Sequence, residues 1–110
     1  MKPQENAKKY LFSYLKNKPI FYNSNIYIYG SYARNKEKYD SDLDVLIVID
    51  KIEQIDILET TRILRYKDNI TAPIDIKIIT TEKWNTSNST YINNIKREGI
   101  NVTEEFRNIL

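Results

Sequence analysis

Apolar and polar residues alternate over Asn25–Tyr29, with Ile26 and Ile28 facing one way and Tyr27 and Tyr29 the other, a period of two that predicts a short strand. A second strand is expected from Asp42, where Leu43 and Val45 take one face, Asp42 and Asp44 share the other, and the apolar run continues to Ile49. Pro73 to Ile79 repeats the pattern, with Ile74, Ile76 and Ile78 on one face and Asp75 opposite. Helical spacing runs from about Gln4 to Lys16, grouping Ala7, Tyr10, Leu11, Tyr14 and Leu15, and stops near Asn17 and Pro19. Asp50 followed by Glu53 has the form of a capping box and predicts a helix to about Tyr66. Thr80 or Thr81 is expected to cap a short turn carrying Trp84, and Asn85 to Thr90 to form a polar loop. Tyr91 to Glu98 predicts a helix with Ile92 and Ile95 inward and Gly99 as its stop. Thr103 is placed as the cap of a last helix presenting Phe106, Ile109 and Leu110.

At 110 residues this is the length of one small domain, spanning 1–110. The absence of cysteine excludes disulfides, thiolate metal sites and cysteine nucleophiles. The absence of histidine removes the usual base at neutral pH and most zinc chemistry. A formal net charge of +2 is too mild for bulk attraction to nucleic acid, although Arg34, Lys36 and Lys38 form a local run suited to phosphate. No stretch approaches the roughly 20 apolar residues of a membrane span. Met1 to Lys9 is polar and lacks the apolar core of a signal peptide, so a cytoplasmic protein is expected. The glycosylation sequons at Asn69, Asn85, Asn88 and Asn101 are chance matches in an Asn-rich chain.

Candidate chemistry sits at the strand ends. Two carboxylates on one face, Asp42 and Asp44, repel each other unless a cation intervenes, and hard divalent cations such as Mg²⁺ take oxygen ligands of this kind. If the Asp75 strand lies beside the Asp42 strand, three carboxylates share one locus. Such a set can bridge two metal ions roughly 3.5–4 Å apart, the clamp used for in-line displacement at phosphorus. Rival motifs fail on inspection. A calcium loop begun at Asp40 would need Gly and Glu where Val45 and Lys51 stand. Phosphatase-like and glycosyltransferase Asp-x-Asp motifs follow their apolar strand, whereas here the acids precede it. With two glycines in the chain and no Gly-x-x-x-x-Gly-Lys loop, P-loop chemistry is excluded.

Gly30-Ser31, ten intervening residues, Asp42-x-Asp44 and the later strand acid Asp75 together resemble the signature of the DNA polymerase beta nucleotidyltransferase superfamily. Gly30-Ser31-Tyr32-Ala33-Arg34 with Ser41-Asp42-Leu43-Asp44-Val45-Leu46 resembles its minimal nucleotidyltransferases, and Ile95 to Gly99 resembles a helix end common there. The resemblance implies an α/β (α+β) nucleotidyltransferase fold, a short mixed β-sheet flanked by helices. It further implies that Asp42 and Asp44 hold two Mg²⁺ ions, Asp75 completes the ion that activates the acceptor, and Gly30, Ser31 and Arg34 bind the triphosphate of ATP. Asn35 stands where the family usually has Gly; of the non-glycine residues, Asn best tolerates a left-handed backbone.

Minimal nucleotidyltransferases of this size resemble antitoxins encoded beside HEPN-domain ribonuclease toxins, which implies transfer of AMP from ATP to a tyrosine of that partner. Two other functions compete: a subunit of a small-molecule, antibiotic-type nucleotidyltransferase, and a non-catalytic antitoxin that inhibits by contact. Retention of all three acids weighs against the last. The first usually needs an acceptor domain that 110 residues do not provide.

Overall fold

The computed structural model describes residues 2–38, 41–52, 55–65 and 71–110. The chain opens with α1 (Pro3–Lys16), in which Pro3 occupies the first helical turn, where a missing N–H costs nothing. A 3₁₀ turn over Pro19–Phe21 leads into β1 (Asn25–Tyr29), and β2 (Leu43–Ile49) returns antiparallel to it. Helix α2 (Ile57–Leu64) carries the chain over to β3 (Ile74–Thr80), which lies parallel to β2. Two helices follow, α3 (Thr81–Thr86) and α4 (Thr90–Glu98), then the two-residue strand β4 (Ile100–Asn101) and α5 (Thr103–Arg107). The sheet order is β3-β2-β1-β4, a mixed sheet flanked by helices, as expected.

The two faces of the sheet are unequal. Leu43, Val45, Ile47 and Ile49 of β2 join Ile26, Ile28, Ile74 and Ile76 in the main core, with Ala7, Leu11, Phe12 and Leu15 of α1 and Phe106 of α5 packed on them. On the opposite face Leu46, Val48 and Ile95 form a smaller cluster, edged by Tyr27, Tyr29, Ile79 and Trp84. Tyr27 and Trp84 stack there at 4.6 Å between ring centroids. Burial on both faces explains why β2 is an unbroken apolar run after Asp44.

Several local expectations hold. The Thr80 hydroxyl caps α3 and Ser89 caps α4, each accepting the backbone N–H three residues on, from Lys83 and Ile92. Ile92 and Ile95 are buried. The expected loop from Asn85 to Thr90 is shorter, because α3 continues to Thr86 and α4 begins at Thr90.

Other readings are corrected. The helix expected from Asp50 starts at Ile57, because the Asp56 carboxylate accepts from Glu59 N at 2.9 Å and supplies the cap, while Asp50 accepts from the Thr81 hydroxyl at 2.6 Å. Glu53 and Tyr66, the other residues of that expectation, lie outside the described residues, as do Asp40 and Asn69. Thr103 caps nothing: its hydroxyl accepts from Ile26 N at 2.9 Å, extending the pairing of β1 with β4. Gly99 does stop α4 as expected, though with φ −69°, outside the left-handed region. It is small for lack of space, since an added Cβ would lie 2.6 Å from the Ile95 carbonyl oxygen. Phe106 is not presented at the surface with Ile109 and Leu110; it is fully buried against Phe12, with ring centroids 5.5 Å apart.

Phe106→Ala is therefore expected to cost about 3–5 kcal/mol of stability in urea unfolding. A loss under about 1 kcal/mol would contradict its place in the core.

Candidate active site

Register builds the site. Asp44 of β2 pairs with Tyr29 of β1 on one side and with Asp75 of β3 on the other, so Tyr29, Asp44 and Asp75 form one row across three strands. This row lies on the thinly covered face, and Asp42 precedes β2 by one residue at the same end. All three sequence-predicted acids are thus brought to one edge of the sheet. Leu43 N donates to Pro73 O at 2.9 Å, fastening the two strand starts together. From α1, the buried Gln4 donates its amide to the carbonyls of Lys38 and Ser41, at 3.0 and 2.8 Å, and steadies the chain entering Asp42. Sequence reading had placed no function on Gln4; a polar residue on the apolar face of α1 was the available signal.

Gly30 leaves β1 with φ +77°, a left-handed conformation that favours glycine. An added Cβ there would stand 2.2 Å from Asp44 Oδ2, so the missing side chain is what lets the turn close over the acid. The turn winds tightly: Arg34 N donates to the carbonyls of Gly30 and Ser31, and Lys36 N donates to Ser31 O at 2.8 Å. Asn35 adopts φ 56°, a left-handed backbone that Asn tolerates better than other non-glycine residues. The Arg34 guanidinium lies 3.9 Å from Glu98 of α4.

Two phenols and the Lys77 ammonium stand beside the acids. Tyr91 of α4 donates its hydroxyl to that of Tyr29 at 2.5 Å, with the rings edge to face, and Lys77 Nζ lies 4.9 Å from the Tyr91 ring centroid. Burial pushes the Tyr29 hydroxyl far above its ordinary value and likewise raises that of Tyr91. Both phenols stay protonated at neutral pH. A cleft of about 250 Å³ opens beside this pair, lined by Tyr29, Gly30, Arg34, Tyr91, Asn94, Ile95 and Glu98. A second hollow of about 210 Å³, lined by Ile20, Asn23, Ile49, Asp50 and Lys51, lies at the opposite end of β2.

Arg65, just past α2, was missed from sequence because nothing in its local pattern sets it apart. Its guanidinium bridges Asp42 at 3.5 Å and Asp75 at 3.9 Å. As the side chains stand, no three acidic groups among the described residues converge closely enough to hold one metal ion.

Burial, followed by the Asp75 and Asp42 carboxylates, pushes the Asp44 carboxyl up to about 6, against the pull of Lys77 and Arg34. The folded protein then binds a proton at Asp44 more tightly than the unfolded chain, so stability falls as pH rises from about 4 towards that value and stays lower above it. Solvent screening holds the effect to a few degrees. Without divalent cations, Asp44→Asn is expected to melt roughly 2–6 °C above the native protein at neutral pH. The gap should close below pH about 4. Circular dichroism melts across pH check this, and a variant melting lower at neutral pH contradicts it.

Comparison with known proteins identifies the family. The family model described as polymerase beta, nucleotidyltransferase matches residues 9–107. Among solved structures, a proposed nucleotidyltransferase from Sulfolobus solfataricus aligns with TM-score 0.55 at 17% identity, covering 87% of this chain and 76% of that one. A chain from a toxin-antitoxin crystal structure with AMP-PNP aligns with TM-score 0.58 at 19% identity, covering 96% of this chain and 82% of that one. No curated protein sequence matches the chain closely enough to count as a relative. With the strand-end acids, the glycine turn and nearly the whole chain inside the family match, the protein belongs to the polymerase beta nucleotidyltransferase family.

Proposed function

We propose that the protein transfers AMP from ATP to a tyrosine hydroxyl of a separate partner, a HEPN-domain toxin, and so acts as an antitoxin in the cytoplasm. The observation that carries the reading is the row of Asp44 and Asp75 with Asp42 beside it, three hard-oxygen donors on one solvent-accessible edge next to a glycine turn. These donors suit Mg²⁺ in kind and in place; Asp42 and Asp75 have side chains 38% and 46% exposed, free to turn inward. Mg²⁺ bound there supplies charge neutralisation at the α-phosphate and lowers the pKa of the acceptor hydroxyl.

The chain's own residues do the positioning. Gly30 opens the turn on which a triphosphate can lie, the Ser31 hydroxyl donates to its β and γ oxygens, and Arg34 offers a phosphate contact. The acceptor hydroxyl releases its proton to solvent as its oxygen bonds to the α-phosphorus, the α–β anhydride bond breaks, and pyrophosphate leaves in line. A phenol at pKa about 10 is a weak nucleophile at neutral pH without such help. Tyr29 and Tyr91 are poor acceptors themselves, because burial holds both protonated and they are bonded to each other. The likeness to a toxin-antitoxin structure containing AMP-PNP supports both the nucleotide and the protein partner.

Asp42→Asn, Asp44→Asn and Asp75→Asn are each expected to lower AMP transfer at least about a hundredfold with the fold intact. Ser31→Ala should slow it by roughly tenfold. Intact mass of a coexpressed partner measures both. AMP additions that appear with the native protein and vanish with Asp44→Asn support the proposal. A partner left unmodified yet still neutralised by Asp44→Asn would show inhibition by contact instead.

A further inference from the structure

Arg65 touches two of the three acids and is supplied by an element outside the strand-and-turn motif. Leu64, fully buried in the main core, anchors the end of α2, and Arg65 N donates to Thr61 O at 3.0 Å, so the backbone at this point is fixed. The side chain beyond it is 47% exposed, and its contacts of 3.5 and 3.9 Å are longer than a good hydrogen bond. It therefore acts on Asp42 and Asp75 as a charge at close range, held by a flexible stem. Asp44, the third acid, is served instead by Lys77 and Arg34. Among the described residues, three cationic side chains thus face the three carboxylates, and Arg65 is the one whose ion pairs join Asp42, ahead of β2, to Asp75 of β3.

We propose that Arg65 is a built-in counter-cation of the acid cluster, which holds Asp42 and Asp75 in the metal-free protein and competes with divalent metal for them. The inference rests on the metal reading given above. A guanidinium and a divalent ion that draw on the same two carboxylates repel each other at close range, so an ion bound there loosens the guanidinium's hold on them. Metal binding then includes the free energy of breaking two part-exposed ion pairs, which weakens it severalfold. The flexible stem lets the displaced side chain swing out to solvent without disturbing Leu64.

The test is Mn²⁺ affinity, followed by electron paramagnetic resonance on the nucleotide-free full chain, for native protein, Arg65→Gln, Arg65→Lys and Asp42→Asn. Arg65→Gln is expected to bind Mn²⁺ roughly three- to tenfold more tightly, and Arg65→Lys, which keeps the charge, to stay within about twofold of native. Without metal, Arg65→Gln should also melt below native, with the deficit shrinking as Mn²⁺ saturates. Equal or weaker binding by Arg65→Gln, with native protein still binding Mn²⁺ and Asp42→Asn losing it, overturns the counter-cation role and leaves the metal reading standing. Absence of Mn²⁺ binding by both native and Arg65→Gln proteins overturns both. If Arg65→Gln fails to fold, an Arg65→Lys protein that binds Mn²⁺ more than about tenfold tighter than native overturns the role, because the charge is retained.

Discussion

The parallel pairing of β2 with β3, in the register that seats Asp44 beside Asp75, is the constraint on which the site depends. Two carboxylates on neighbouring strands repel each other, and the pairing survives because the apolar positions dictate it. Leu43, Val45, Ile47 and Ile49 of β2 must share the main core with Ile74 and Ile76 of β3. A one-residue slip of either strand would drive its acids into that core and its isoleucines into water, at a cost far above the repulsion it relieves. The core thus enforces an arrangement that the charges oppose, and the Asp44 carboxyl, raised first by burial and then by Asp75 and Asp42, carries part of that conflict.

Asymmetry between the sheet's faces follows from the same constraint. Stability comes from the face covered by α1, α2 and α5, where the large buried side chains collect. The face bearing the acids carries a small cluster around Leu46, Val48 and Ile95, so the strand ends stay open to solvent and to a ligand. Local charge is managed by groups from three different elements: Lys77 on β3, Arg34 on the glycine turn and Arg65 beyond α2. Gln4 and Gly30 complete the support, one tethering the chain ahead of Asp42 and the other leaving room for Asp44.

What could be read from sequence tracks how local the determining forces are. The strand limits of Asn25–Tyr29 matched because alternation and the glycine exit are written within five residues. The Asp42–Asp44–Asp75 grouping was legible because period two fixes the faces and only adjacency of the strands had to be supposed. Capping was misjudged where two candidates competed: Asp50 looked like a helix start, yet tertiary contact with Thr81 claimed it and Asp56 took the role. Thr103 and Phe106 were misplaced for a similar reason, since a hydrogen bond from Ile26 and a contact with Phe12 span most of the chain. β4, at two residues, has too little length to show a period, and Arg65 acquires its meaning only when α2 returns its end to the acids.

The most direct test of the central claim, that this acidic edge and its glycine turn form a nucleotide and metal site, is a crystal structure with Mn²⁺ and a non-hydrolysable ATP analogue. The account predicts anomalous density within about 2.0–2.6 Å of carboxylate oxygens of Asp42, Asp44 and Asp75, with the triphosphate lying along the turn from Gly30 to Asn35. Manganese absent from these carboxylates, or a triphosphate seated in the hollow of Ile20, Asn23 and Lys51 at the far end of β2, would contradict it.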